Sequence, residues 1–131
     1  MKFKPEGYPS LAPYVIAAGA QRVIDFLAGT FDARVTRRYN RESGVIKHAE
    51  IQIDDSIVML ADSTDTIQAF PVILHVYVPD VVEAYTRALA AGGTSVQAPK
   101  LDEDAAERRS GVRGPAGNTW YMATQLGSPA A

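Results

Sequence analysis

The amino-acid sequence predicts an α+β domain made of two βαβββ modules. A strand followed by a helix occurs twice, and the second copy begins about 59 residues after the first. Short runs that alternate or are rich in β-branched residues follow each helix, as expected for strands. The chain has 131 residues, 47% of them hydrophobic, which suits a single domain. We therefore predict one domain over residues 1–131, with module one at about 12–62, a linker at 63–71 and module two at about 72–125.

Module one begins with a short apolar strand at residues 14–17, followed after Gly19 by the helical pattern AQRVIDFLAGTF. The apolar side chains of that pattern recur every three or four residues, which defines one buried face. Three further strands are predicted at residues 35–39, 45–53 and 57–61, separated by turn sequences.

Module two repeats this order, beginning with the strand VILHVYV. Pro79 and Asp80 favour the start of a helix, and Gly92 with Gly93 ends it. The polar stretch PKLDEDAAERRSG is predicted to be a mobile loop. Further strands are predicted at residues 94–98, 109–113 and 118–124.

One helix covers only one face of a small sheet, so each module leaves the other face bare. Two modules must therefore pair, within one chain or between two chains. We expect the strands to form a curved mixed sheet around a cavity, which is the usual location of a small ligand.

Charge and composition exclude several classes of partner. The formal net charge is −2, and the arginines near Arg37 and Arg109 suit a solvated surface or contact with a small anion, so no nucleic acid is expected. Cysteine is absent, which excludes disulfides and thiolate metal sites. No apolar stretch has the length of a signal peptide or a membrane span, so we expect no membrane partner and a cytoplasmic location.

Three segments resemble the successive signatures of a known family: HAEIQIDDSIVMLADS, LHVYVPDV and SGVRGPAGNTWYMAT. The family is the vicinal oxygen chelate superfamily of glyoxalases, bleomycin resistance proteins and dioxygenases, and the resemblance is to its PhnB-like branch. The opening EGYPSLAPYVIAAGAQRVIDFLAGTFDA is similar to the first strand and helix of that branch. The resemblance implies the glyoxalase fold and a homodimer. It implies no single activity, because the superfamily contains isomerases, dioxygenases, thiol transferases and drug-binding proteins.

In the metalloenzymes of this family, His or Glu ligands on the first and last strands of each module hold one divalent ion. Only His75 offers a credible ligand here, and a shift of one residue in register would turn it to the other face. We therefore expect no cofactor. A divalent metal is the alternative, and His75 is then the candidate ligand, although a weak one. Alternatively, His75 contacts a ligand or is simply hydrogen-bonded beside the sheet. The resemblance carries the family's ligand positions to Pro13 or Tyr14, Met59, Leu74 or His75, and Tyr121.

Strict alternation in HAEIQI puts His48, Glu50 and Gln52 on one strand face, opposite three apolar residues. If the apolar face meets the helix, His48 and Glu50 line the pocket, as an acid and base pair or as contacts for a polar ligand. The alternative is an amphipathic strand with one wet face. The catalytic candidates are therefore His48, Glu50 and His75.

Aromatic side chains are the main candidates for ligand contact. Trp120 and Tyr121 are adjacent in a strand and point to opposite faces, so we expect one in the core and the other in the cavity or an interface. The predicted ligand-binding residues are Tyr121, Trp120, Tyr14, Met59, His75 and Gln52.

These observations favour a metal-free protein that binds a small molecule, either a drug or a metabolite. One alternative is a metal-dependent lyase, isomerase or dioxygenase of the glyoxalase type. Another is a dimeric interaction protein whose cavity is filled by its own side chains. A bound divalent ion at stoichiometric occupancy would favour the enzyme.

Overall fold

Eight β-strands and two α-helices are present in the computed structural model, which describes residues 2–128. The strands are β1 (Tyr14–Ala17), β2 (Arg34–Asn40), β3 (Ile46–Ile53), β4 (Ser56–Asp62), β5 (Ile73–Tyr77), β6 (Thr94–Asp102), β7 (Glu107–Arg113) and β8 (Thr119–Gln125). The helices are α1 (Ala20–Phe31) and α2 (Val81–Ala90), and a short 3-10 turn spans Pro115–Gly117. No helix in this described part of the chain is long and apolar enough to cross a membrane.

The strands form two four-stranded sheets, one in each module. Sheet one has the strand order β1-β4-β3-β2, and sheet two has the order β5-β8-β7-β6. In each sheet the first pair is parallel and the other two pairs are antiparallel. The predicted α+β fold with two βαβββ modules is therefore confirmed. The strands do not form one continuous curved sheet, because β1 and β5 are edge strands that do not pair with each other.

The stretch PKLDEDAAERRSG forms most of a β-hairpin, so its prediction as a mobile loop is wrong. β6 extends to Asp102 and β7 begins at Glu107, and these two residues are register partners. Arg109 joins the strands, because its Nη1 lies 2.9 Å from Asp102 Oδ2 and its Nε donates to Glu107 Oε2 at 2.8 Å. Opposite charges on neighbouring strands thus stabilise a hairpin whose polar composition is typical of a loop.

The two helices begin with different kinds of cap. Asp80 caps α2 as the sequence predicts, since its Oδ1 accepts hydrogen bonds from Val82 N and Glu83 N in the first turn. α1 follows Gly19, which has a φ of 84° and no side chain to accept a bond. Asp62 at the end of β4 replaces the missing cap, because its two carboxylate oxygens accept from Ala20 N and Ile46 N, both at 2.7 Å. One side chain therefore fixes the start of α1 to the start of β3.

The hydrophobic core contains side chains from both modules. Trp120 on β8 is 1% exposed, and its ring packs against Phe31 and Phe26 of α1 at centroid distances of 5.9 and 6.4 Å. Gly93, just before β6, leaves room for this core, because a Cβ there would lie 2.4 Å from Val112 Cγ1 and 3.1 Å from Phe26 Cε1. The single tryptophan of the chain therefore packs the two modules together.

Arg87 of α2 holds the carboxyl end of α1. Its guanidinium forms a two-pronged pair with Asp32, at 2.6 and 3.1 Å, and its Nε donates to Gly29 O at 2.8 Å. The hydrogen bond from Arg87 lowers the pKa of Asp32. Because the Asp32 side chain is largely exposed, this pair orients the helices more than it stabilises them.

Candidate functional site

Each sheet has one face against the helices and one face free of them, here called the helix-free face. On β3, Ala49 and Ile51 lie in the core, whereas His48 and Glu50 lie on the helix-free face. The alternation of HAEIQI predicts this division. Tyr14 of β1 lies on the same face, because its hydroxyl contacts His48.

His48 is hydrogen-bonded through both ring nitrogens. Its Nε2 lies 2.8 Å from Glu50 Oε2, and its Nδ1 lies 2.6 Å from the Tyr14 hydroxyl. An ionised carboxylate only accepts hydrogen bonds, so Nε2 carries the hydrogen of the first contact, and in the neutral ring Nδ1 accepts from Tyr14. The ring of Tyr39 stacks beside His48 at a centroid distance of 6.4 Å. Side chains from β1, β2 and β3 thus enclose the imidazole.

Glu50 also has a partner for its second oxygen. The Tyr8 hydroxyl donates to Glu50 Oε1 at 2.6 Å, and Arg37 Nε lies 3.7 Å from the same oxygen. Glu50 is only 5% exposed, so a buried carboxylate is contacted on both sides. Sequence reasoning missed Tyr8, because its N-terminal segment has no strand or helix pattern and reaches β3 only in the folded chain.

These contacts determine which groups are charged. Burial raises the pKa of Glu50, but the hydrogen bonds from Tyr8 and His48 and the charge of Arg37 lower it by more, so the pKa lies below its ordinary value. Burial, together with the negative charge of Glu50, raises the pKa of Tyr14. At neutral pH Glu50 is therefore an anion and Tyr14 a neutral phenol.

His48 and Glu50 are adjacent, as an acid and base pair requires. However, Tyr14 covers His48 Nδ1, and Nε2 faces Glu50. A substrate would have to displace Tyr14 before His48 could exchange a proton with it. The arrangement therefore suits recognition of a polar group better than proton transfer.

His75 of β5 lies on the helix-free face of sheet two. It is the register partner of Tyr121 on β8, whereas its neighbours Leu74 and Val76 pack against the core. The sequence leaves the strand register uncertain by one residue, and in the structure His75, not Leu74, lies on the helix-free face. Its ring meets the edge of the Tyr77 ring at a centroid distance of 4.7 Å.

A second polar cluster lies on the same face of sheet two, and sequence analysis did not predict it. Tyr77 donates to Glu107 Oε1 at 3.0 Å, and Arg109 Nε donates to Glu107 Oε2 at 2.8 Å. The hydrogen bond from Arg109 lowers the pKa of Glu107, and the hydrogen bond to Glu107 raises the pKa of Tyr77. A signal was available, because residues 107 and 109 are two apart and share one face once the segment is taken as a strand.

Two other predicted ligand contacts have clear positions. Met59 is the register partner of Glu50 and lies half-buried on the helix-free face of sheet one. Gln52 accepts a hydrogen bond from Arg34 Nη2 at 3.0 Å, so its amide already joins β2 and β3. Both stay predictions as ligand contacts.

Two clefts lie between the modules. The smaller has a volume of about 380 Å³ and is lined by the β3–β4 turn and β5, with His75 and the buried Trp120 among its walls. The larger, of about 800 Å³, lies between the end of α1 and the start of α2, and its walls include none of the predicted site residues. Both volumes suit a small molecule. We assign the smaller cleft to the candidate site because it adjoins the helix-free face at His75, while contact of Trp120 with a ligand stays a prediction.

The resemblance to the family carries its metal-ligand positions to Pro13 or Tyr14, Met59, His75 and Tyr121. These offer at most two phenols, a thioether and one imidazole, and this donor set does not fit a divalent ion, which prefers several imidazoles or carboxylates. Among residues 2–128, no three His, Asp or Glu side chains are grouped so as to hold a metal.

Comparison with known proteins finds relatives along most of the chain. The family model of the Glyoxalase/Bleomycin resistance protein/Dioxygenase superfamily matches residues 11–122. The uncharacterized protein Mb0911c of Mycobacterium bovis is 32% identical over 125 residues, which cover 87% of this chain and 82% of that protein. The crystal structure of TioX from Micromonospora sp. ML1 is similar with a TM-score of 0.70 and 26% identity, over 89% of this chain and all of that one. The PhnB protein from Bacillus cereus has the same TM-score at 15% identity, over 88% and 99% of the two chains, which shows a shared fold.

Proposed function

Since this chain belongs to the glyoxalase/bleomycin resistance protein/dioxygenase superfamily, we propose that it is a metal-free protein that binds a small drug or metabolite on the helix-free faces of its sheets. One observation carries the proposal. The positions that the resemblance gives to metal ligands include Tyr14, Met59, His75 and Tyr121, which are three aromatic rings that each carry a polar group and one flexible thioether. Such side chains suit an aromatic or partly apolar ligand.

We further propose that two chains pair to complete the cavity. The free edges of β1 and β5 support this, because each leaves backbone hydrogen-bonding groups that another strand can pair with. Each helix-free face also needs an opposite wall to enclose a ligand. Measurement of the molar mass in solution by light scattering tests this part, and a mass of one chain at micromolar concentration contradicts it.

Metal analysis tests the proposal against the enzyme alternative. The purified, tag-free protein is measured for metal content before and after incubation with zinc, nickel, manganese and iron(II) salts, followed by desalting. The proposal expects no retained ion. About one tightly held ion per chain or per dimer would support a metal-dependent lyase, isomerase or dioxygenase instead, and His75, His48 and Glu50 would be replaced first.

Mutation of Tyr121 tests the position of the binding site. A ligand is first found by thermal-shift screening of aromatic drugs and metabolites, and its affinity is then measured by calorimetry. Tyr121→Ala should weaken binding by roughly tenfold while the protein still unfolds cooperatively. Tyr85→Ala, which removes a tyrosine of α2, is the matched control and should leave affinity unchanged.

If neither Tyr121→Ala nor Tyr14→Ala changes the affinity, the proposed site is wrong. A stable dimer that binds nothing in the screen would instead support a protein-interaction role. The 2.8 Å contact between His48 and Glu50 is the one feature that favours an acid–base enzyme, and turnover without metal that Glu50→Gln abolishes would establish it.

A further inference from the structure

The N-terminal segment, residues 2–13, crosses the helix-free face of sheet one and is attached there chiefly by Tyr8. Tyr8 is half-buried, whereas Phe3 and Leu11 are each 87% exposed. The other hydrogen bonds and ion pairs that side chains of this segment make within the described chain stay inside the segment, as between Lys2 and Glu6. A single tyrosine side chain therefore holds this part of the segment on the sheet.

Three groups of the sheet contact the Tyr8 side chain, each in a different way. Glu50 Oε1 accepts the phenol hydrogen at 2.6 Å, and Thr36 Oγ1 lies 2.9 Å from the same hydroxyl. The guanidinium carbon of Arg37 lies 5.7 Å from the centre of the ring, over its face. An acceptor, a hydroxyl and a cation above the ring together recognise a phenol.

The acceptor of this set is built into the fold. The Glu50 side chain is 6% exposed, and His48 holds its other oxygen, so Oε1 points at the phenol from a fixed position. The lowered pKa of Glu50 keeps the carboxylate ionised at neutral pH, which strengthens the hydrogen bond that it accepts. Without a donor at Oε1, the buried oxygen would lose its partner, which is costly.

We propose that Glu50, Thr36 and Arg37 form a binding subsite for a phenol, and that Tyr8 occupies this subsite from within the same chain. This assignment rests on the proposed function, because it specifies the chemical class of ligand that binds on the helix-free face of sheet one. Tyr8 acts as a tethered competitor: its effective concentration is set by the short segment, and an external phenol binds only as Tyr8 leaves.

The test uses 4-methylphenol, which is the tyrosine side chain as a free molecule. It is titrated into wild-type protein and Tyr8→Ala, and binding is followed by NMR through the backbone amide of Glu50. Tyr8→Ala should bind it saturably in the millimolar range, as expected for so small a ligand. The wild type should bind it at least about twofold more weakly, because Tyr8 competes at an effective concentration that is also millimolar. Equal affinity in the two proteins overturns the proposal.

Two controls separate the subsite from general attraction for apolar molecules. 4-Methylanisole has the same ring but no hydroxyl hydrogen, and it should bind Tyr8→Ala at least roughly tenfold more weakly than the phenol does. Tyr8→Ala/Glu50→Leu, which removes the acceptor oxygens, should lose the preference for the phenol. A preference that survives in the double variant shows that Glu50 is not the acceptor and overturns the proposal.

A third variant guards against a fold defect in Tyr8→Ala. Tyr8→Phe keeps the ring under Arg37 but cannot donate to Glu50, so it should bind 4-methylphenol more tightly than the wild type does. No gain in Tyr8→Phe also counts against the subsite. If the Tyr8 variants gain no affinity for 4-methylphenol while a screened ligand still binds near Tyr121, only this inference fails. If no variant binds any aromatic ligand, the proposed function is contradicted as well.

Discussion

Glu50 is a buried carboxylate with a hydrogen-bond partner on each oxygen. Burial alone raises its pKa, but the bonds from Tyr8 and His48 and the charge of Arg37 lower it below the ordinary value of 4.5. A group whose pKa is lower in the folded state stabilises the fold above its unfolded pKa, and this contribution is lost as the pH falls through the folded pKa. The ionised form of Glu50 therefore supports the fold at neutral pH.

We predict that Glu50→Gln reduces the dependence of stability on acidic pH. The free energy of unfolding, measured by urea denaturation from about pH 6 down to about pH 3, should fall more steeply in the wild type than in Glu50→Gln. Glu42→Gln changes an exposed carboxylate and serves as the control, whose slope should match the wild type. Equal slopes in the wild type and Glu50→Gln would show that Glu50 is not held in its charged form.

Two glycines should respond to alanine in opposite directions. A Cβ on Gly93 would lie 2.4 Å from Val112 Cγ1 and 2.8 Å from a backbone oxygen, so Gly93→Ala should destabilise the protein by about 1–3 kcal/mol. Gly29 lies inside α1, and its Cβ would meet only Ala91 Cβ at 3.4 Å. Gly29→Ala should therefore stabilise by about 0.5–1 kcal/mol through helix propensity. Thermal and urea unfolding measure both. A Gly93→Ala variant that loses no stability would contradict the packing described around Gly93, and a destabilised Gly29→Ala would contradict the space described at Gly29.

At the scale of secondary structure, the sequence predicts an element well where the residues of that element alone determine it. The pattern AQRVIDFLAGTF coincides with α1, and Asp80 caps α2 as predicted. The sequence does not predict that β6 and β7 extend into a hairpin, where Arg109 of β7 pairs with Asp102 of β6 across the strands and with Glu107 of its own strand. Such pairing depends on the register of the two strands, which composition does not reveal.

The same distinction applies to the candidate site. The alternation in β3 predicts that His48 and Glu50 share a face, and period two is a local property of a strand. Tyr8 is 42 positions from Glu50, and its contact depends on the path of a segment without regular structure. Similarly, Asp62 caps α1 from the end of β4, although Gly19 before the helix carries no capping signal.

Asp62 gives a prediction about how α1 is held. Its carboxylate satisfies one amide of α1 and one of β3, so Asp62→Ala should lower the free energy of unfolding by about 1–2 kcal/mol. Asp62→Asn keeps one acceptor and should cost less. The nearby exposed Asp65→Ala is the control and should have little effect. Equal stability of Asp62→Ala and the wild type, measured by urea denaturation, would refute this capping role.

At the scale of the whole molecule, the two modules share one core although their sheets are separate. α1 belongs to module one and Trp120 to module two, yet the Trp120 ring lies against Phe26 and Phe31 of α1. Arg87 adds a second connection by holding Asp32 at the end of α1. Because a shared core couples the modules, we expect them to unfold together in one transition.

Trp120→Ala tests this coupling. The side chain is 1% exposed, so its truncation should lower the free energy of unfolding by about 3–5 kcal/mol, and both modules should lose stability together. Urea denaturation followed by far-ultraviolet circular dichroism measures the loss without needing tryptophan fluorescence. Tyr121→Ala changes the neighbouring residue on the opposite face and should cost much less, because Tyr121 is only half-buried. A loss below about 1 kcal/mol for Trp120→Ala would mean that Trp120 does not join the modules, and two separate transitions in the wild type would mean that each module is stable by itself.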